Sequence, residues 1–363
     1  MRVLNDLSTP AVLVDLDVLE RNVARMAERA RQHGVRLRPH AKTHKIVSIA
    51  RLQTAAGAVG LSVAKTSEAE VFADAGFDDL FVAFPVVGAD KGRRLLRLAE
   101  RIRLAVGTDS VEGARTLAEP FAQAGRVLDV MLKVDVGYHR VGVEPDRAAT
   151  VAGQIAELRG LRLRGVFTHA GHAYLQETPE AVAAVASHEG KALALVAETL
   201  RGAGLPVEQV SVGSTPTARH AMAVTGVTEC RPGNYVFHDR SQVALGSCRL
   251  EDCAMTVVAT VVSVPARDRA VVDAGSKTLS SDPLRPHAGG HGRILGRASR
   301  LEKLSEEHGV IAVQPGESFR VGERVRILPN HACVVTNLHD RLWGVRGETV
   351  EDELPVAARG RVE

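Results

Sequence analysis

Short apolar runs alternate with longer amphipathic stretches through the first two-thirds of the chain, and glycine often marks the joins. Over residues 17–33, Leu19, Val23, Met26 and Ala30 recur at helical spacing and Gly34 follows, so this stretch predicts an amphipathic helix with a glycine stop. The same rhythm predicts eight strands, at 36–40, 60–64, 80–87, 102–106, 128–136, 161–168, 209–213 and 228–237. Helices are expected between them at 46–56, 67–75, 91–101, 111–124, 147–158 and 179–200, with a short one at 218–223. Eight strands alternating with helices are the signature of a TIM-type (β/α)8 barrel, an α/β fold.

Helical texture fades after about residue 242. Short β-type runs at 255–264, 270–273, 311–313, 324–327, 334–336 and 342–345, separated by Gly and Pro, predict a C-terminal all-β domain. The expected division is a barrel over residues 12–243 and a β domain over 244–363, with residues 1–11 packing on the β domain. The stretch 280–308, rich in Gly, His and Arg, reads as a loop excursion near the active site.

Composition narrows the function without fixing it. Lys and Arg number 46 against 43 Asp and Glu, with the signs interspersed and a net charge of +3. A basic stripe is lacking, which argues against a nucleic-acid partner. Arg93, Arg94, Arg97, Arg101 and Arg103 read as a solvated helix face. Four cysteines, no signal peptide at the start and no apolar run of membrane length predict a reduced, cytoplasmic protein with no membrane partner.

In a TIM-type barrel, chemistry sits at the C-terminal ends of the strands. Nearly every predicted exit holds a cation, an imidazole or a Gly-rich turn. Arg38-Pro39-His40-Ala41-Lys42 follows the first strand, Lys65 the second, and Lys133 to Arg140 the fifth. His169, His172 and Tyr174 follow the sixth, Gly213-Ser214-Thr215 the seventh, and Arg231, Gly233, Asn234 and Tyr235 the eighth. Such density suits an anionic cofactor. The turns at Gly213–Thr215 and Gly233–Asn234 offer small residues and free backbone N–H groups, which bind phosphate well. A lysine in an apolar and cationic setting has a lowered pKa and forms Schiff bases, which fits Lys42 with His40, His44 and Lys45 as its cations. Spacing alone does not separate Lys42 from Lys65 or Lys133. His331-x-Cys333 on a strand would place imidazole and thiolate on one face, a donor pair suited to Zn²⁺ or a similar metal.

Residues 9–17, 36–45 and 213–215 resemble the fold-type III pyridoxal-phosphate (PLP) enzymes, whose founding member is alanine racemase. The likeness is closest to the D-threonine aldolase and D-serine dehydratase branch and runs over nearly the whole chain. Its most specific part is Pro329-Asn330-His331-Ala332-Cys333 followed by Asn337-Leu338-His339-Asp340. The resemblance implies that Lys42 carries the Schiff base and that Arg140 approaches the PLP phenolic oxygen. It further implies that Arg231 faces the pyridine nitrogen and that His331 and Cys333 bind a divalent metal, Zn or Mn. His172, with Tyr174 beside it and His169 as the second choice, becomes the expected general base near the substrate. The implied activity is a PLP- and metal-dependent lyase acting on β-hydroxy-D-amino acids, a homodimer, most similar to D-threonine aldolase. A D-serine dehydratase, the form suggested by Cys333, is the alternative, and a non-catalytic PLP carrier is a third. A racemase would need a second base, usually Tyr, on the β domain, and no Tyr follows Tyr235.

Overall fold

The computed structural model describes residues 2–284 and 289–363. Eight parallel strands carry the first part of the chain: Arg36–Leu37, Leu61–Val63, Asp79–Pro85, Arg103–Thr108, Leu128–Lys133, Leu161–Phe167, Gln209–Val212 and Glu229–Cys230. From the second to the eighth each pairs with its neighbour in sequence, and the first pairs with the eighth. A single bridge from His40 to Ser62 closes the seam between the first and second strands. The expected (β/α)8 barrel is therefore present.

Local chemistry explains the helices around it. Leu16–Gln32 starts where the Asp15 carboxylate accepts from the Val18 N–H at 3.0 Å, and Gly34 follows at φ 63°, a left-handed turn suited to glycine. Leu19, Val23, Met26 and Ala30 of this helix are buried against the barrel. Of the five arginines only Arg93, Arg94 and Arg97 lie on the helix Ala89–Ala99, Arg101 follows it and Arg103 begins a barrel strand; Arg94 pairs with Glu70 and Arg101 with Asp74. Inside the barrel, Phe81, Met131 and Phe167 form a small layer. Below it, buried Arg38, just past the first strand, joins Glu229 of the eighth strand at 2.9 Å and Asp79 of the third at 2.5 Å.

Gly165 marks a close approach of two barrel strands, because a Cβ there would collide with the Gln209 carbonyl. Gly165→Ala is expected to lower stability by about 3 kcal/mol, the upper range of overpacking costs. Urea unfolding monitored by circular dichroism checks this; an unchanged midpoint would refute it.

The second sheet has ten strands and is mostly antiparallel. Six of them close on themselves, since Met255–Ala266 pairs with Ala11–Asp15, with Arg269–Val272 and with Arg324–Pro329. Ala11–Asp15 and Arg2–Val3 belong to this sheet although they open the chain.

Four local expectations need correction. Residues 334–336 are not a strand but part of the helix Ala332–Leu338. The β-branched Val334, Val335 and Thr336 mimic strand propensity, which tertiary packing overrides; the Thr336 hydroxyl instead bonds back to the Ala332 carbonyl at 3.0 Å. The stretch 280–308 is not one loop. It contains the strands Gly292–Ile294 and Arg300–Leu304, whose charged outer residues obscured the alternation; its residues 285–288 lie outside the described residues. The eighth barrel strand shrinks to Glu229–Cys230, and the rest of 228–237 is loop and a short turn of 3-10 helix. The acidic strand Thr349–Pro355 was not anticipated. No described helix is long and apolar enough to cross a membrane.

Candidate active site

A cavity of 460 Å³ opens at the C-terminal mouth of the barrel, against the β domain. Most of the expected site residues line it: His40, Lys42, Arg140, His169, Tyr174, Gly213, Ser214, Thr215, Arg231, Gly233, Asn234, His331 and Cys333. Two do not. Tyr235 is buried in the core, where its hydroxyl accepts from the Gln53 amide at 3.0 Å. His172 lies outside the cavity wall, stacked on Tyr138 with ring centres 6.4 Å apart. The wall also holds residues that the sequence did not mark, among them Thr43, Ser241, Gln242, Asp239 and Asp282.

The geometry separates the three lysines. Lys65 is not on the wall and lies over the Phe84 ring at 4.1 Å. Lys42 follows His40 in a single turn of 3-10 helix and projects into the cavity, reachable by solvent but surrounded by wall residues. That enclosure, with Arg140 and Arg231 nearby, lowers its pKa. The expected cationic neighbours are not the ones present. Burial holds His40 and His44 neutral, and Lys45 is paired with Glu68 at 3.2 Å.

Lys133 is the second cavity lysine. It rests over Phe167 at 4.7 Å. Burial and then the Arg231, Arg140 and Lys42 charges lower its pKa to about 7. A lysine with a folded pKa below its unfolded value costs nothing when both states are neutral at high pH. The cost grows as pH falls and is complete below the folded pKa. Lys133→Met should therefore stabilise the cofactor-free protein more at pH 6 than at pH 9. Thermal melts at both values check this, and an equal or reversed gain would contradict it.

Arg231, expected at the cofactor, has the carboxylates Glu229 and Asp239 close by in sequence. It pairs directly with neither. One guanidinium nitrogen donates to the Ser211 hydroxyl and another to the Thr168 carbonyl at 2.5 Å. Ser211 in turn donates to Glu229 at 2.7 Å, and Glu229 holds Arg38. A buried relay thus fixes the guanidinium below the cavity, beside the Phe81 and Phe167 rings.

The two glycine turns fit a phosphate, though not through every group expected. The Gly213 N–H is already taken by buried Glu189 at 3.0 Å, and the Ser214 N–H by the Thr217 hydroxyl at 3.1 Å. The N–H groups of Thr215, Gly233 and Asn234 have no acceptor among the described residues and remain available. A Cβ on Gly213 would meet the Cys230 sulfur at 2.7 Å, and one on Gly233 the Thr43 hydroxyl at 2.7 Å. The turns must therefore be glycine to lie this close. Lysine, arginines and free N–H donors around one cavity match a ring bearing both a phosphate and an aldehyde.

His331 and Cys333 converge by a route other than a strand. His331 is the extended residue preceding the helix Ala332–Leu338, and Cys333 lies in its first turn. Burial opposes charge on His331, but Cys333 and the Asp282 carboxylate, 2.7 Å from Nδ1, outweigh it and push its pKa up to about 11. The same contact draws the Cys333 thiol down against its burial. Imidazole nitrogen and cysteine sulfur are both good ligands for a divalent transition metal, and both border the same cavity, so the donor set fits a metal. Among the described residues no third His, Cys, Asp or Glu completes a tight cluster with them, so remaining positions would fall to water or substrate. Asp239 braces the pair: Oδ2 accepts from the Ala332 N–H at 2.9 Å and from the Asn234 amide at 2.6 Å. Asp239 also caps the helix Arg240–Ala244, and a capping aspartate is all that its sequence position announces.

Fold and cavity are those of the fold-type III class. The chain belongs to the alanine racemase-like family of that class: the model described as "Alanine racemase, N-terminal domain" matches residues 14–241, and "Putative serine dehydratase domain" matches residues 254–345. The chain is 40% identical to a D-threo-3-hydroxyaspartate dehydratase of Delftia sp., covering 90% of this chain and 91% of that one. It is 32% identical to a D-serine dehydratase of Dictyostelium discoideum over 91% of each. The crystal structure of D-threonine aldolase from Filomicrobium marinum superposes with a TM-score of 0.92, at 36% identity and full coverage of both chains.

Proposed function

We propose that the protein is a PLP- and divalent-metal-dependent lyase of β-hydroxy-D-amino acids, cleaving them by β-elimination. The carrying observation is that one cavity joins the enclosed Lys42 amine, the free N–H cradle and the His331–Cys333 pair. Bound there, PLP would supply an electron sink at the substrate Cα and the metal a Lewis acid at the β-oxygen. Lys42, its pKa lowered, holds the cofactor and afterwards accepts the Cα proton. Arg231 is held in place by Ser211 and Thr168 although burial lowers its pKa, and its guanidinium would disfavour protonation of a pyridine nitrogen bound beside it. Thr215, Gly233 and Asn234 orient the phosphate. Arg140 and Lys133 add positive charge that attracts the substrate carboxylate.

Elimination is favoured over aldol cleavage because His172, the expected base for the β-hydroxyl, stands outside the cavity wall. Aldol cleavage is the second reading. It draws support from His169, a cavity imidazole held neutral by burial and thus able to accept a proton. The reading includes a cytoplasmic homodimer. Incubation with D-threo-3-hydroxyaspartate, D-serine and D-threonine, with products identified by mass spectrometry, tests it. A 2-oxo acid and ammonia are expected; glycine and an aldehyde would establish the second reading, and neither product would overturn the lyase assignment.

A further inference from the structure

A second cleft, of 390 Å³, lies behind the candidate active site. The short helix Arg240–Ala244 separates the two: Ser241 and Gln242 face the active-site cavity, while Arg240 and Val243 face the second cleft. Arg293 and Arg300 stand directly opposite each other on neighbouring antiparallel strands and both border this cleft. Like charges in that register repel. Arg240 approaches the pair from the helix, and its own pKa is lowered by burial and then by Arg293 and Arg300. A fourth arginine, Arg297, is neutralised by Glu323 at 2.6 Å. Arg293 and Arg300 have no carboxylate partner among the described residues, and no Asp or Glu lines the cleft. Its floor is apolar, with Val243, Leu250 and Leu328.

Three guanidinium groups bordering one cleft, with an apolar floor and no carboxylate among its described lining residues, offer a receptor for an anion. Guanidinium forks pair with carboxylate and phosphate, and several of them around one cavity suit a multiply charged tetrahedral anion. We propose that this cleft binds the phosphate dianion, free or as the ester of a small apolar molecule, between Arg240, Arg293 and Arg300. An occupant would touch Arg240, which also donates to the Asn330 side chain at 3.3 Å, one residue before His331. The site is distinct from the cofactor cradle and does not depend on the proposed reaction.

The test titrates PLP- and metal-loaded protein with inorganic phosphate and with phenyl phosphate by calorimetry, at constant ionic strength in chloride. Saturable binding is expected. Tighter binding of phenyl phosphate would identify an ester as the ligand, and equal binding the free ion. In the Arg293→Glu variant, where the new carboxylate faces Arg300, affinity should fall at least about tenfold. The same variant should melt about 1–2 °C higher than the parent in phosphate-free buffer, because repulsion becomes attraction. This gain shows that the variant is folded. Binding of equal strength in parent and variant, or heats no different from those of added chloride, would overturn the proposal.

Discussion

Lys42→Ala protein is expected to lose turnover by at least about 10^3-fold, the range forfeited with a positioned proton-transfer group. It should still bind PLP, because the phosphate contacts at Thr215, Gly233 and Asn234 and the Arg231 relay are untouched. The covalent link is what disappears: PLP should dialyse away and no longer be fixed by borohydride. Lys133→Met gives the contrast. Lys133 shares the cavity, but it lies on the end of the strand Leu128–Lys133 over Phe167. Its loss should leave the link intact and weaken substrate binding. Absorbance spectra and steady-state kinetics of the two variants decide the assignment. A Lys42→Ala protein with near-normal turnover would refute the assigned role.

The second large effect falls on the metal pair. Among the described residues His331 and Cys333 are the proposed donor pair, and loss of either removes half of it. Cys333→Ala and His331→Ala proteins should therefore purify without the metal and lose activity by about 100-fold or more, as a Lewis acid contributes several kcal/mol. PLP absorbance should persist in both, since the cradle's free donors are backbone N–H groups of Thr215, Gly233 and Asn234, and Cys333 meets it only at the Asn234 side chain, 3.7 Å away. Elemental analysis and activity after chelation and after metal addition are the checks. Metal retained at parental stoichiometry in both variants would place the ion elsewhere.

The barrel was legible because its signal is redundant. Buried apolar runs such as Leu80–Val82 and Val130–Leu132 recur at even spacing with amphipathic helices between them. Local ends were less legible, since the mouth of the eighth strand bends at Pro232 and Gly233 after only two paired residues. The β domain was harder still. Arg293, Arg300, Glu302 and Lys303 alternate with buried neighbours, but their charges disguise the strands. Residue types named the chemistry of the site and not its shape. Lys42, His331 and Cys333 were readable from motif, and the enclosure that sets their pKa values comes from distant segments. Asp282 meets His331 across 49 residues, and Glu189 reaches Gly213 from a helix expected only to pack. The misplaced expectation for His172 has the same origin. Two histidines three residues apart past the sixth strand look equivalent, yet the turn Gly171–Leu175 directs His169 and Tyr174 to the cavity and His172 outward.

Lys42 is proposed to hold the cofactor. Protein loaded with PLP, reduced with borohydride and digested, would carry the phosphopyridoxyl mass on a single lysine-containing peptide. That mass is expected on Lys42. Finding it on Lys133 or Lys65, or on no lysine at all, would refute the role given to Lys42.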